Sequence, residues 1–226
     1  MPQLEFFEER QIGLTLPYLE IETELWEQGL QDIAGVDEAG RGPLAGPVVA
    51  AACILPRHVR FTSVRDSKQL QAEERKEAYQ ELIAHPRVIW AVSIVDSNTI
   101  DALNILRATL LAMKQAVEAL TLKKRPHFIL IDGRDTPPLD IPSRAVIKGD
   151  SLSQSIAAAS IIAKETRDTI MERYAEQYPE WGFAQHKGYG TEVHLAAIEK
   201  YGLTPIHRQS FAPVAKKKKS SQLTFF

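Results

Sequence analysis

A chain of 226 residues, 44% of them hydrophobic, can bury the core of one domain of moderate size but is too short for two full domains. Its single cysteine, Cys53, excludes an internal disulfide, and no apolar run approaches the roughly 20 residues that cross a bilayer. The N-terminus lacks the basic start of a signal peptide, so we expect a cytoplasmic protein that does not contact membranes.

The net charge of −2 does not exclude nucleic acid as a partner, because the charge is unevenly distributed along the chain. Residues 1–32 carry eight acidic residues and one arginine, whereas residues 216–226 carry four lysines and no acid. The region between them is close to neutral. If four of its acids bind metal, the remaining charge of that region is positive and can face phosphates.

The first predicted elements are a helical extension and a hairpin. Residues 20–30 are expected to form a helix, although the sequence does not identify what that helix packs against. Residues 33–36 and 47–55 are rich in β-branched and small residues, and a Gly-rich turn at 40–43 separates them. This pattern predicts two strands joined as a hairpin.

The rest of the chain alternates helical and strand patterns. Apolar spacing predicts helices over 71–84 and 104–122, and strands over 88–95, 128–131 and 145–147. A long Ala/Ile-rich helix is predicted over 151–178, with Asp150 and Ser151 as its caps, followed by a last helix over 192–200. Such alternation indicates an α/β fold in which helices cover a sheet, with additional helices at the C-terminal side.

Four acids interrupt apolar or small-residue surroundings near the ends of these elements: Asp37, Glu38, Asp132 and Asp150. Because unpaired buried charges are costly, proteins tend to pair them or use them to coordinate metals. Carboxylate oxygens suit Mg²⁺ or Mn²⁺, and two such ions can perform phosphodiester hydrolysis. The alternative is that each acid is a helix cap or turn residue. Other acids also lie near element ends, so spacing alone does not select these four.

Two glycine-containing segments are candidates for contacting a ligand. The glycines of Gly40-Arg41-Gly42 allow a close approach of the backbone, and Arg41 adds a charge, but the spacing differs from a dinucleotide-binding loop. An ordinary hairpin turn is the alternative. The segment His186-Lys-Gly-Tyr-Gly-Thr combines a cation, an aromatic ring and flexible backbone, as a site stacking on a sugar or base does. Structural zinc is not expected, because one cysteine and no zinc-like spacing are present.

Together these segments resemble the bacterial ribonuclease HII family. The motifs that carry the resemblance occur in the family's order: GVDEAGRGPLAGPVVA at 35–50, DSKQL at 66–70, IDG at 131–133, KGD at 148–150, SIAAASIIAK at 155–164, HKGYGT at 186–191 and HRQSF at 207–211. The similarity spans about residues 33–212. We therefore expect a catalytic domain over 33–212, between an acidic extension at 1–32 and a basic tail at 213–226.

The resemblance implies an RNase H-like fold, with a mixed central sheet flanked by helices and a helical C-terminal part. It also implies a monomeric, metal-dependent endoribonuclease that hydrolyses the RNA strand of RNA/DNA hybrids. Such an enzyme also cuts on the 5′ side of single ribonucleotides embedded in duplex DNA, leaving 3′-hydroxyl and 5′-phosphate ends. Asp37, Glu38, Asp132 and Asp150 match the family's catalytic carboxylates, which hold two ions, Mg²⁺ or Mn²⁺.

The resemblance also suggests substrate contacts. It implies that Gly40, Arg41 and Gly42 sense the ribose 2′-OH and that Tyr189 stacks on the sugar after the ribonucleotide. The expected phosphate contacts are Lys68, Lys164, His186 and Lys187. The chain departs from the family at Gln69, where a second lysine is common, and at Arg134 and Asp135, which follow the third acid in place of the more usual asparagine. The related type III enzymes carry a substantial N-terminal domain, for which 32 residues are too few. The resemblance therefore favours the type II family.

The tail ends in an apolar cluster that resembles the peptide by which bacterial replication proteins bind the sliding clamp. Its contact residues would be Gln222, Leu223, Phe225 and Phe226. The alternative is that this cluster docks on the protein's own surface. Two rival functions also stay open at this point: a noncatalytic, clamp-tethered module that binds hybrids in repair, and a two-metal nuclease of another specificity.

Overall fold

The computed structural model describes residues 19–57, 59–64 and 70–215. Within them the helices and strands are, in chain order, α1 Glu20–Glu27, β1 Ile33–Ala39, β2 Val48–Ile54, α2 Ala72–Ala84, β3 Ile89–Val95, α3 Ser97–Leu103, α4 Ile105–Lys123, β4 Phe128–Asp132, β5 Ser143–Val146, α5 Gln154–Gln177, α6 Phe183–His186 and α7 Glu192–Tyr201. Short 3-10 turns cover Gly149–Ser151 and Pro179–Trp181. No helix in these ranges has both the length and the apolar character needed to cross a membrane.

The five strands form one mixed sheet in the order β3-β2-β1-β4-β5. β1 is antiparallel to β2, as the predicted hairpin requires, and β2 is antiparallel to β3. β4 is parallel to both β1 and β5. A mixed sheet flanked by helices confirms the predicted fold class.

Helices cover both faces of the sheet. Side chains on a strand alternate between the two faces, so neighbouring residues of one strand pack against different helices. On β2, Ala50 and Ala52 face the core beneath α4, whereas Ala51 and Cys53 face the core beneath α5 and α2. Cys53 is fully buried, and burial raises the pKa of its thiol. Cys53 therefore packs as a small buried hydrophobe.

The extension before the sheet packs in a third, smaller hydrophobic cluster. Leu25 of α1 is buried against Ile33, Leu130, Val146 and Ile156. The packing partner that the sequence could not identify is therefore the edge of the sheet where β1, β4 and β5 meet the start of α5.

The close approach of α5 to β1 depends on a glycine. A Cβ atom at Gly35 would lie 2.0 Å from the carbonyl carbon of Ser155, a distance that no side chain can occupy. Gly35 stands two residues before Asp37 on β1. The first turn of α5 is thus in direct backbone contact with the strand that carries the first predicted acids.

Candidate active site

Three of the predicted acids, Asp37, Glu38 and Asp132, line one cavity of about 360 Å³. Asp37 and Glu38 lie near the carboxyl end of β1, and Asp132 ends β4. Val36 pairs with Ile131 in parallel register, so Asp37 and Asp132 follow on neighbouring strands at the same edge of the sheet. The topology therefore brings together acids that are 95 residues apart in sequence.

The charges in this cavity repel one another. Burial raises the pKa of Asp37 well above its usual value, and the charges of Glu38 and Asp132 raise it further. Burial also raises the pKa of Glu38, although Arg41 opposes that shift with its Nη1 atom 3.3 Å from Glu38 Oε1. A divalent cation bound between these groups would relieve the repulsion.

The donor chemistry of the cavity fits a hard divalent ion, since carboxylate oxygens are the ligands that Mg²⁺ and Mn²⁺ prefer. Within the described ranges, no three His, Cys, Asp or Glu side chains already stand at the spacing of a metal's ligands. The fit therefore rests on the type of donor and on the mutual repulsion of the acids.

The fourth predicted acid, Asp150, is placed differently. It is buried in the Gly149–Ser151 turn and is not among the residues that line the cavity. The turn nevertheless reaches the cluster, because the Gly149 N–H donates to Asp132 Oδ1 at 2.7 Å. Asp150 is thus the next residue after Gly149, which is hydrogen-bonded to a carboxylate that lines the cavity.

The predicted caps of the long helix are wrong. Asp150 and Ser151 belong to the 3-10 turn, and α5 begins three residues later at Gln154. Its cap is Ser153, whose Oγ accepts a hydrogen bond from the Ile156 N–H at 3.2 Å. Ser153 is therefore the N-cap of this helix.

The Gly40–Gly42 turn lines the same cavity, and two buried arginines that the sequence did not single out hold it in place. Arg167 donates from Nε to Pro47 O at 3.0 Å and from Nη2 to Ala45 O at 3.2 Å. Gly40 has φ +94°, and a Cβ there would lie 2.1 Å from Arg167 Nε, so only glycine fits.

The second arginine, Arg208, spans the whole loop. Its guanidinium donates to the carbonyl oxygens of Gly40 at 2.6 Å, Arg41 at 2.9 Å, Gly46 at 2.9 Å and Pro47 at 3.1 Å. Burial lowers the pKa of Arg208 to about 9, and the nearby charge of Arg167 contributes to the shift. It remains a cation at neutral pH and fixes the path of the turn.

Tyr189 lies beside this turn and also lines the cavity. A Cβ at Gly42 would be 3.5 Å from Tyr189 Cε1, so the ring stands next to the second glycine of the Gly-Arg-Gly segment. Tyr189 is 45% exposed, so part of this residue is accessible to a ligand. The structure thus brings together the two glycine-containing segments that the sequence indicated.

A chain of neutral histidines supports the backbone of Tyr189. His194 Nδ1 lies 2.9 Å from Tyr189 O, which can only accept, so the ring proton of His194 is on Nδ1. His194 Nε2 then accepts from His207 Nε2 at 3.1 Å. His207 Nδ1 in turn accepts from the Thr204 N–H and hydroxyl, at 2.9 and 2.8 Å. Every ring nitrogen of the pair is satisfied with one proton on each ring.

We expect this pair to make the fold acid-sensitive. Burial lowers the pKa of both His194 and His207 to about 4. The unfolded chain takes up these protons near pH 6.5, so the stabilisation is complete above that pH and is lost as pH falls towards 4. The free energy of unfolding should drop by up to about 1.4 kcal/mol per pH unit for each histidine in this window.

Melting temperatures between pH 7 and pH 4.5 measure this effect. His207→Gln should flatten the pH dependence, because one of the two buried rings whose pKa is lowered by folding is then absent. Identical pH profiles for His207→Gln and the original protein would contradict the assignment.

The predicted phosphate contacts are dispersed. Lys164 lines the cavity, with its Nζ 2.7 Å from Asp168 Oδ1. His186 and Lys187 do not line it: His186 Nε2 bonds Trp181 O at 2.7 Å, and Lys187 Nζ bonds Glu172 Oε1 at 2.8 Å. Lys68 lies outside the described residues.

The cavity wall contains a further cation that the sequence does not predict. Arg75 of α2 lines the cavity and forms an ion pair with Glu165 of α5. Its position on an exposed-looking helix is typical of a surface cation, so the sequence gives no signal for it. Arg75 and Lys164 line the same cavity as the carboxylates, and both also pair with Asp168 of α5.

Comparisons with the sequences of known proteins agree on one family. A family model described as Ribonuclease HII matches residues 34–214. The ribonuclease HII of Desulfitobacterium hafniense (strain DSM 10664 / DCB-2) is 54% identical over 193 residues, which are 85% of this chain and 73% of that protein. That of Chlamydia trachomatis serovar L2 is 49% identical over 212 residues, 94% of this chain and 93% of that protein. The crystal structure of ribonuclease H2 from Pyrococcus horikoshii OT3 matches with a TM-score of 0.72 at 27% identity, covering 84% of this chain and 99% of that one.

Proposed function

This chain belongs to the ribonuclease HII family, and from that premise we propose that its carboxylate cavity cuts duplex DNA on the 5′ side of a single embedded ribonucleotide, as well as cutting RNA/DNA hybrids. The family makes the protein a metal-dependent ribonuclease H that acts on the RNA strand of hybrids. One observation carries the finer proposal: Asp37, Glu38 and Asp132 line the same cavity as the Gly40–Gly42 turn and Tyr189. The groups suited to hydrolysis thus lie beside the groups suited to recognising a sugar.

Asp37, Glu38, Asp132 and Asp150 are the residues that would hold two divalent ions, Mg²⁺ or Mn²⁺. When bound, such ions lower the pKa of an attacking water and stabilise the charge on the leaving oxygen. Cleavage by that chemistry leaves 3′-hydroxyl and 5′-phosphate ends. The carboxylates contribute the negative charge that retains the ions, which explains why the protein tolerates their repulsion in the metal-free state.

The neighbouring groups are suited to recognise a ribonucleotide at the junction. The peptide groups of Gly40–Gly42 can bond a 2′-OH, which distinguishes RNA from DNA. Arg208 fixes this turn through the carbonyl oxygens of Gly40 and Arg41. Tyr189 presents a half-exposed ring on which the next sugar can stack. Lys164 and Arg75 supply positive charge for the adjacent phosphates.

The test compares three duplexes of one sequence: all-DNA, RNA/DNA hybrid and DNA with one ribonucleotide. We expect cleavage of the last two with Mg²⁺ or Mn²⁺, none of the first, and none of any with EDTA. Tyr189→Ala should lower kcat/KM on the single-ribonucleotide duplex by about five- to 150-fold, since stacking contributes roughly 1–3 kcal/mol.

Tyr201→Ala is a matched control, because Tyr201 is also 45% exposed but does not line the cavity. Cleavage of the all-DNA duplex would contradict the proposed specificity. Full activity of Tyr189→Ala would show that Tyr189 does not stack on the substrate.

We also propose that the tail binds the bacterial sliding clamp. Gln222, Leu223, Phe225 and Phe226 lie outside the described residues, so this proposal rests on the resemblance of the peptide and on its apolar character after a run of lysines. A pull-down with purified clamp should lose this chain when residues 222–226 are deleted. Equal recovery of the shortened chain would reject the proposal.

A further inference from the structure

A buried carboxylate in the N-terminal extension is bonded to the start of α5. Glu22 of α1 is only 2% exposed. Its Oε1 atom accepts three hydrogen bonds: from Ser153 Oγ at 2.6 Å, from Ser155 Oγ at 2.6 Å and from the Ser155 N–H at 3.0 Å. The segment that these bonds hold is the same one that caps and begins α5.

The second oxygen of Glu22 makes no such contact. Oε2 is buried without a hydrogen-bond partner, and among the described residues it is the one buried side-chain N or O atom in that condition. Burying a carboxylate with one oxygen unsatisfied is costly. A glutamate at this position is therefore a poor choice for packing alone, and its use must lie in what Oε1 holds.

Two hydrogen bonds connect Ser153 to the acids through Gly149. The Ser153 N–H donates to Gly149 O at 2.8 Å, and the Gly149 N–H donates to Asp132 Oδ1 at 2.7 Å. Asp150 lies between these two anchored residues. A shift of Ser153 would therefore move the turn that carries Asp150 and orients Asp132.

A backbone contact connects Ser155 to β1. The backbone of Ser155 packs so closely on Gly35 that a Cβ there would lie 2.0 Å from its carbonyl carbon. Asp37 follows Gly35 by two residues on the same strand. Because the two backbones are in direct contact, the depth at which Ser155 sits also sets the position of Asp37.

We propose that Glu22 is a positioning residue for the metal centre, holding Ser153 and Ser155 so that Asp37, Asp132 and Asp150 converge on the ions. The inference rests on the proposed function in one respect, namely that these acids bind divalent cations. It assigns a role in the active site to the extension that precedes the matched family region. Glu22 itself touches no substrate and reaches the acids only through the two serines.

The test is Mn²⁺ binding to the purified full-length chain without substrate, measured by electron paramagnetic resonance. Glu22→Ala should weaken Mn²⁺ binding by about tenfold, the lower end of the effect of losing groups that orient metal ligands. Glu22→Gln should stay within about twofold of the original protein, because its amide oxygen replaces Oε1 and its amide nitrogen replaces an atom that bonds nothing. Glu20→Ala, at an exposed acid of the same helix, should bind normally.

A second readout needs no metal. Amide hydrogen exchange of residues 149–156 should be faster in metal-free Glu22→Ala than in Glu22→Gln, because only the alanine variant releases the turn. If Glu22→Ala does not fold, Glu22→Asp serves instead. Its carboxylate is one methylene shorter and withdraws from both serines, so it should show the same weakening.

The outcomes separate this inference from the proposed function. Absence of Mn²⁺ binding in the original protein would remove the metal site and the proposed function with it. Normal Mn²⁺ affinity in a folded Glu22→Ala or Glu22→Asp, even with a lowered melting temperature, would overturn the positioning role while leaving the function intact. Equal weakening by Glu22→Gln would overturn the hydrogen-bond mechanism, because the amide keeps every bond that Oε1 accepts.

Discussion

Asp132→Asn should abolish cleavage and, in the absence of metal, melt at a higher temperature than the original protein. The substitution removes one charge from a cavity in which Asp132 raises the pKa values of both Asp37 and Glu38. The amide oxygen of the substituted side chain can still accept the Gly149 N–H, so the turn keeps its anchor. We expect cleavage to fall at least about a thousandfold, roughly 4 kcal/mol of lost transition-state stabilisation, while the fold is preserved.

The gain in stability follows from the sign of the pKa shifts. Because the pKa of Asp37 is raised in the folded state, its ionisation above that pKa destabilises the metal-free fold. Removing the Asp132 charge should recover on the order of 1 kcal/mol, or about 2–4 °C for a chain of this size. The difference between variant and original should shrink as pH falls, since protonated carboxyls no longer repel one another.

Thermal melts in EDTA and in Mn²⁺, together with single-turnover cleavage, measure both effects. Mn²⁺ should raise the melting temperature of the original protein, because an ion that binds only the folded state stabilises it, and should raise that of Asp132→Asn much less. Asp135→Asn, at an exposed acid three residues along, is the matched control and should leave cleavage and stability unchanged. Near-normal turnover by Asp132→Asn would remove this acid from the reaction.

Local patterns predicted most of the secondary structure. The helix expected over 71–84 is Ala72–Ala84, because its signals are local: Gln71 and Glu74 form a capping box, and the apolar spacing is short-range. α3 at Ser97–Leu103 was missed, since seven residues are too few to show periodicity. The cap of α5 was misassigned because Asp150 and Ser153 both precede it, and only the fold decides which one its N–H groups reach.

The residues of the site were only partly predictable, because contacts between residues distant in sequence leave no local pattern. Asp37, Glu38 and Asp132 lie at or near the carboxyl ends of strands, and a charge in an apolar strand is visible in the sequence. Arg208 lies in the HRQSF motif, but neither its role nor that of Glu22 is visible in the sequence, because their partners are distant. The acceptors of Arg208 are 161 to 168 residues away, and the serines bonded to Glu22 are 131 and 133 away. Side chains whose bonding partners are distant in sequence are identified only by the fold.

The second large effect is expected at Arg208, where Arg208→Met should destabilise the fold by at least about 3 kcal/mol and remove measurable cleavage. Methionine fills much of the same space but donates nothing to the carbonyl oxygens of Gly40, Arg41, Gly46 and Pro47. Each buried acceptor left without a partner costs about 1–3 kcal/mol. Pro47 O keeps its bond from Arg167, so the loss falls mainly on the other three.

Urea unfolding and cleavage of the single-ribonucleotide duplex separate the two consequences. Arg173→Met, at an exposed arginine of α5, is the matched control and should change neither. Arg208→Lys keeps the charge but cannot reach several carbonyls at once, because an ammonium lacks the planar fork of a guanidinium. The lysine variant should therefore recover part of the stability yet cleave poorly, since the Gly40–Gly42 turn would be free to move. Full activity in Arg208→Lys would show that charge alone holds the turn, and that the fork geometry at these four oxygens does not matter.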